Sequence, residues 1–475
     1  MTITRRELLE GLGLASAYAF AFGCGPPPKP ARRAPEEFSG EVRAWLRDAV
    51  AAIHGAGLTG HALAVSRTHT VAAQDVLGAG VNHERADGVV LVARDAHGRR
   101  EQITSDLTRE GVAAAARALA GKATPARIEF GPPAPPAAVP KPDPAQLADS
   151  ALLDSVAAIA KRDGGLSSRI VYASGLLEVD DAMVWSIAEH RDLEQRLYRV
   201  RRRITRIAWN GTRPILSEVS RAWSGGIHDQ TFGDDELAYA RDTALALMTP
   251  GAFADGDHAL VLAPDVVAGI IDAATRVLWT ARAARRPEIA ARFAPDKLIG
   301  SAAVTLVDDP TVPNAYGGYR FDDAGELATA VPLIDHGKLV GRIARGRRPG
   351  HTGVLEPMPS HMRFAPGSSE SALALDAGYL LEGHRNVLVD PASDRVVVAV
   401  QRALEVQRGQ RTGRAYADIE LVGDLTTLLG SITDATRATR VIGLRDDRDG
   451  LPRWRSIEAP WLRARGLVRA RRSQA

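Results

Sequence analysis

Two aspartate pairs are the residues whose type and spacing come closest to a chemical site. Asp308-Asp309-Pro310 is one. Asp322-Asp323 is the other, inside Gly317-Gly318-Tyr319-Arg320-Phe321-Asp322-Asp323-Ala324-Gly325-Glu326. Carboxylates grouped at turns are hard oxygen donors of the kind that hold calcium or magnesium. Aspartate in turns also caps its own backbone, and on local chemistry alone that plainer role is favoured. Other motifs are missing. The sequence has no H-E-x-x-H, and its 1 cysteine rules out a paired-cysteine zinc site and any intramolecular disulfide. It contains neither a G-x-S-x-G elbow nor a Walker A loop. His83-Glu84 reads as a polar turn before a strand. Glu189-His190-Arg191-Asp192 reads as a solvent-facing charged cluster on a helix. Arg201-Arg202-Arg203 lies between apolar stretches and reads as a solvated strand edge or turn. With a formal charge of only +3, the chain gives no sign of a nucleic-acid partner.

The lone cysteine, Cys24, has an identifiable setting. Arg5 and Arg6 form a positive start, the stretch from Leu8 to Phe22 is mostly apolar or small, and Ala21-Phe22-Gly23-Cys24 resembles a bacterial lipobox. This is the layout of an export signal and is too short for a spanning helix. Thr4-Arg5-Arg6-Glu7-Leu8-Leu9 resembles a twin-arginine signal. The prolines at 26, 27, 28 and 30 then stop any helix and make a tether. The expectation is an exported protein of the cell envelope, with Cys24 as the site of lipid attachment. It would be a membrane-anchored lipoprotein facing the periplasm or the exterior.

The rest is ordinary globular sequence, 45% hydrophobic and 25% charged. Val42, Trp45, Leu46, Ala49 and Val50 recur at helical spacing, so residues 41–53 predict a helix. Strand-like runs follow at 62–66 and 88–93, then an alanine-rich helix over 108–119. A proline-rich connector leads to a helix over 145–161, strands over 168–173, 198–209 and 213–218, and helices over 234–247 and 265–284. After residue 296 the chain is strand-rich. The fold class is therefore α+β: a mixed N-terminal α/β-type domain followed by a strand-rich C-terminal domain. The boundaries read as an export signal at 1–24, a tether at 25–40, an N-terminal region at 41–130, the connector at 131–144, a middle region at 145–295 and the C-terminal domain at 296–475.

From Asp308 onward the order of short motifs resembles the TldD/PmbA family. Asp308-Asp309-Pro310, Phe321-Asp322-Asp323-Ala324-Gly325 and Leu333-Ile334-Asp335-His336-Gly337-Lys338-Leu339 carry the resemblance. Gly350-His351-Thr352-Gly353, the stretch from Pro359 to Phe364, Asp390-Pro391-Ala392-Ser393-Asp394 and Gly423-Asp424-Leu425 agree more loosely. TldD-type members are zinc metallopeptidases with H-E-x-x-x-H on a helix and a further ligand from a late cysteine segment. The TldE/PmbA type is a sister subunit without that motif, and the pair acts on peptides and small modified proteins. Matching the helix places Asp272, Ala273 and Val277 where histidine, glutamate and histidine would stand. Asp446 falls at the cysteine position.

The resemblance thus implies a TldE/PmbA-like, non-catalytic protein that binds or presents peptide, with no cofactor and zinc disfavoured. Its partner would be a TldD-like metallopeptidase subunit or further copies of itself. Gly317, Gly318, Phe321, Asp322, Asp323 and Gly325 are the candidate groove, and Arg363 a carboxylate-binding group. Two alternatives stand beside this. One is a divergent metallopeptidase in which Asp272 and Asp446 hold a magnesium- or calcium-like ion. The plainer reading of those residues makes Asp272 a surface helical residue and Asp446 part of a charged loop. The other alternative is a self-associating envelope structural protein.

Overall fold

Apolar residues at helical spacing build the first element. Val42, Leu46, Val50 and Ile53 are fully buried on one face of α1 (Ser39–Gly55). A computed structural model describes residues 39–75, 78–132, 143, 146–162, 169–344, 346–347, 356–371, 373–446 and 453–471. Arg5, Arg6, Cys24 and nearly all of the tether lie outside the described residues, as does His351.

Helix α1 packs on a hairpin of β1 (Thr59–Asp75) and β2 (Ala79–Asp95), followed by β3 (Gly98–Thr104) and α2 (Arg109–Ala120). Thr108 caps α2 by accepting the Gly111 N–H at 3.1 Å. Beyond the connector come α3 (Asp149–Arg162), β4 (Ile170–Ala188), β5 (Arg191–Trp209), β6 (Pro214–Ser224) and α4 (Asp234–Ala246). The six-stranded sheet has the order β3-β2-β1-β4-β5-β6. Strands before and after the proline-rich connector therefore share one sheet: β1 runs antiparallel to β4, with His61 opposite Ala188.

Three local expectations are corrected here. Arg201-Arg202-Arg203 is not an edge or a turn, because β5 pairs with both β4 and β6. Arg202 is 4% exposed and donates to Ser155 Oγ and the Ile227 carbonyl, each at 2.6 Å. Partners on both faces let a basic strand lie inside a sheet. Glu189-His190 is the hairpin turn between β4 and β5, not a helix, and His190 takes a left-handed φ of 57°. His83 sits within β2, where Thr70 Oγ1 and Asp149 meet its ring at 2.8 and 2.9 Å.

The second sheet has ten strands. It begins with β7 (Gly256–Leu262) and α5 (Pro264–Leu278), then α6 (Pro287–Arg292), β8 (Leu306–Asp308), β9 (Val331–Asp335) and β10 (Lys338–Leu339). The short pair β11 (Gly346–Arg347) and β12 (Glu356–Pro357) stands apart. The chain continues through β13 (His361–Phe364), β14 (Ala377–Val389), β15 (Arg395–Gln407) and β16 (Gln410–Asp424). It ends with α7 (Leu425–Gly430), β17 (Asp434–Asp446) and β18 (Arg453–Ala470). Strand β7 pairs with β14 on one side and β18 on the other, so β7, β14, β15, β16 and β18 close on themselves. Strand β7 and helix α5, grouped by sequence with the middle region, thus belong to this sheet, whose first strand starts at Gly256 rather than near residue 296. The main core gathers α5 against β14, β15, β16 and β18 through Val266, Ile270, Ile271, Leu381, Val398, Ile419 and Leu462. The result is a mixed α/β N-terminal region followed by a strand-rich C-terminal domain.

Candidate functional site

Helix α5 is apolar almost all round, as an enclosed helix must be. Pro264 fixes its first turn. Asp272 breaks the apolar run and is only 5% exposed. The expectation that it is a surface residue is therefore overturned. A buried carboxylate needs a close countercharge. Arg455, on β18, donates from Nε to Oδ1 at 2.6 Å and from Nη2 to Oδ2 at 3.2 Å. Arg276, one turn along α5, brings its Nε to 3.0 Å from Oδ2. Asp265 and Gly269 share this helical face. Asp265 Oδ2 accepts the His384 N–H at 2.7 Å, and a Cβ at Gly269 would stand 2.3 Å from the His384 ring. The glycine makes a notch for the imidazole. Burial pushes the His384 pKa down, against the pull of Asp265 and Asp272.

Ala273 is buried, and Val277 packs against the same core; neither offers a donor atom. Asp446 lies opposite Arg453 at the end of β17, in a strand rather than the charged loop expected. Both Asp272 oxygens are engaged by arginines and so are not free to hold an ion. Among the described residues no group of three or more His, Cys, Asp or Glu is arranged to hold a metal ion.

The candidate groove residues lie elsewhere. Gly317 and Phe321 are buried, Gly318 and Asp323 half-buried, and Asp322 is 3% exposed. They form a contact between the two sheets rather than an open groove, which corrects that expectation. The cause is a row of long side chains on one face of β5, at positions 191, 195 and 199. Arg191 Nη1 donates to the Gly325 carbonyl at 2.6 Å. Gln195 donates to the Phe321 carbonyl and accepts the Arg320 N–H, both at 2.9 Å. Arg199 donates to the carbonyls of Tyr316 and Gly318 at 2.9 and 3.1 Å. Asp322 Oδ1 accepts the N–H groups of Ala324 and Glu326, each at 2.9 Å, so it caps its own turn. Burial raises its pKa. Gly325, with φ of 77°, is in the region that favours glycine. Arg363 is not part of this contact. Its side chain is 50% exposed on β13 and ion-paired with Glu458 at 3.1 Å.

Residues 255–470 match the family described as the PmbA/TldA metallopeptidase C-terminal domain. The chain is TldD/PmbA-like. It is 28% identical over 162 residues to a metalloprotease of Methanocaldococcus jannaschii, a match covering 30% of this chain and 36% of that protein. The match therefore spans about a third of the length of that relative. Solved structures extend the likeness to the N-terminal sheet. A candidate modulator of DNA gyrase from Thermotoga maritima superposes with a TM-score of 0.70 at 14% identity, covering 91% of this chain and 100% of the other. TldE from Thermococcus kodakarensis gives 0.68 at 13% identity, covering 87% and 97%.

This TldD/PmbA-like chain holds another buried, arginine-paired carboxylate that sequence reading missed. Asp180, on β4, is 2% exposed. Arg67 Nε donates to it at 2.8 Å, His69 Nδ1 lies at 3.0 Å, and Trp454 Nε1 donates at 2.9 Å. The Arg445 Nη1 stands 3.8 Å away. Burial alone would raise the Asp180 carboxyl, but His69, Arg67 and Arg445 hold it well below the usual carboxylate range. The Arg199 and Arg67 guanidinium carbons lie 4.2 and 5.3 Å from the Trp454 ring centre. Arg67, His69 and Asp180 share one face of the N-terminal sheet, while Arg445 and Trp454 are opposite one another on β17 and β18. The only signal in sequence was the alternation that puts positions 67 and 69 on one face.

Proposed function

We propose that this chain is a TldE-type member of its family, without a hydrolytic centre of its own, that binds or presents peptide beside a TldD-like zinc metallopeptidase. One observation carries this reading. Where the family resemblance puts the first zinc-binding histidine, Asp272 is bound by Arg455 and Arg276. Two guanidinium groups there repel a metal ion and occupy the oxygens that would hold it. The likeness in fold to TldE supports the same reading.

The test is co-expression with a TldD-like protein that carries H-E-x-x-x-H. The expected result is a complex of the two chains, with zinc in the partner alone and peptide hydrolysis lost when the partner's motif is changed. Stoichiometric zinc in this chain purified by itself, lost together with hydrolysis in Asp272→Asn, would instead support a divergent peptidase. A stable homo-oligomer with no affinity for peptide or partner would support the envelope structural role.

The export segment extends the proposal. Arg5, Arg6 and Cys24 support delivery across the membrane and retention there by lipid. Two or more acyl chains are needed for stable anchoring. In cell fractionation the full chain is expected in the membrane fraction and Cys24→Ala in the soluble exported fraction. An unprocessed chain in the cytoplasm would overturn this part alone.

A further inference from the structure

A buried histidine ties the C-terminal sheet to the segment that contacts the N-terminal one. His361, on β13, is 1% exposed, and its lateral neighbour on β18, Ser456, is fully buried. His361 Nδ1 lies 2.8 Å from Ser456 Oγ. The same oxygen accepts the Gly317 N–H at 3.0 Å. Ser456 Oγ, already an acceptor for Gly317, is placed to donate its own proton to Nδ1, which makes Nε2 the protonated nitrogen. Nε2 is buried with no hydrogen-bond partner among the described residues. A serine beside a histidine invites a nucleophilic reading, but both residues are sealed from solvent and no substrate reaches them.

The position of this chain of hydrogen bonds matters more. Gly317 is wedged against β13 and β18: a Cβ there would stand 1.9 Å from the Ser360 carbonyl oxygen and 3.0 Å from the Ser456 nitrogen. Gly317 also opens the segment that Arg191, Gln195 and Arg199 hold from β5.

We propose that His361, Ser456 and Gly317 form an acid-released joint, in which protonation of His361 at Nδ1 unseats Gly317 and loosens residues 317–326 from the N-terminal sheet. The added proton comes from solvent. Two N–H groups, from His361 and Gly317, then point at one Ser456 oxygen, and the hydroxyl proton must turn to a new acceptor. The imidazolium is buried with its Nε2–H unanswered.

The charged groups facing the ring are few. Glu458 on β18 is paired with Arg363 and accepts from Thr439 at 2.8 Å. Asp309, just after β8, accepts from Thr311 Oγ1 at 2.6 Å. Asp308, on β8, accepts from Ser360 N and Oγ, each at 2.8 Å. Arg363 lies on the same strand as His361. From the wedged segment, the neighbouring Tyr316 is a phenol whose pKa burial raises further. Burial pushes the His361 pKa down to about 4; Arg363 adds to this, while Glu458 and Asp309 oppose it. The joint is therefore closed at neutral pH.

The experiment follows hydrogen exchange of the full chain from pH 7 downward, corrected for the intrinsic pH dependence of exchange, with α1 amides as reference. Protection of residues 317–326 is expected to fall by about tenfold or more, reversibly, as His361 titrates, while α1 stays protected. His361→Gln is expected to abolish that step, and His384→Gln to leave it in place. The proposal is overturned if the segment stays protected while the His361 ring signal titrates, or if release occurs unchanged in His361→Gln. Should that variant not fold, the wild-type protein decides: separate midpoints for ring titration and segment release overturn the joint, and coincident ones support it.

Discussion

Asp272 and Asp180 are both buried aspartates answered by arginine, yet they serve different ends. Asp272 is satisfied inside one domain, by a strand and a helix that already share a core. Asp180 is satisfied from both sheets at once: Arg67 and His69 come from its own sheet, and Trp454 and Arg445 reach it from the other. The first removes a charge problem where the family resemblance would put a metal. The second makes the contact between two sheets depend on polar geometry. Burial is nearly the same at the two sites, so it is the origin of the partners that separates a filled-in centre from a joint between domains.

Asp180→Asn breaks this comparison hardest. It leaves the Arg67 cation buried without its carboxylate and takes from Arg445 one of two facing carboxylates, Glu178 remaining at 3.5 Å. Removing one partner of a buried ion pair costs about 3–5 kcal/mol, and a loss in that range is expected here. Denaturant unfolding should show this loss, with the N-terminal sheet and the β17–β18 hairpin losing exchange protection together.

Arg455→Met comes next. Asp272 keeps Arg276, so a loss of about 3 kcal/mol is expected, confined to the C-terminal domain. The double variant Asp272→Leu/Arg455→Met should recover most of it, because an apolar pair of similar volume suits an apolar helix. Failure of that rescue would show that the pair does more than neutralise charge.

Acid sharpens the contrast through two separate windows. His361 has a folded pKa of about 4, below the ordinary histidine value of 6.5. Between those values the unfolded chain binds a proton that the folded chain does not, so stability falls as pH drops through this range. Each unit is worth about 1.4 kcal/mol at most for one group. Asp180 follows the same rule in a lower window, where the form the fold favours is the charged carboxylate rather than a neutral ring. Its folded pKa lies below the ordinary aspartate value of 3.8, so its contribution is present above that value and is lost as pH falls further. Unfolding free energy measured against pH should therefore fall in two steps. His361→Gln should shrink the upper one, to which the depressed His384 also contributes, and Asp180→Asn the lower.

The fold was legible where pattern repeats. Helical spacing marked α1, an apolar run marked α5, and the short strand runs marked parts of β1, β2 and β5. Their lengths were not legible, because β1, β2 and β5 run on through polar residues that find partners only in the assembled sheets. Arg201-Arg202-Arg203 looked solvated for that reason: its partners, Ser155, Ile227 and Glu178, lie far along the chain or across a strand pair. The motif Phe321-Asp322-Asp323-Ala324-Gly325 was visible as a motif, but its burial depends on β5, more than a hundred residues earlier. Asp272 was placed on the correct helix and given the wrong exposure, because nothing near it in sequence points to Arg455.

Arg363 provides the smallest effect and the cleanest separation of binding from stability. Its side chain is 50% exposed and its partner Glu458 also reaches solvent, so water screens the pair. Arg363→Ala should change unfolding free energy by under about 1 kcal/mol. If Arg363 receives the carboxylate of a bound peptide, the same change should weaken peptide binding measured by calorimetry, while Arg363→Lys keeps the charge and loses the planar fork. Equal peptide affinity in the parent and in Arg363→Ala would remove Arg363 from the peptide-binding surface. Asp180 and Asp272 would remain as the two charged sites that distinguish the contact between sheets from the filled-in centre.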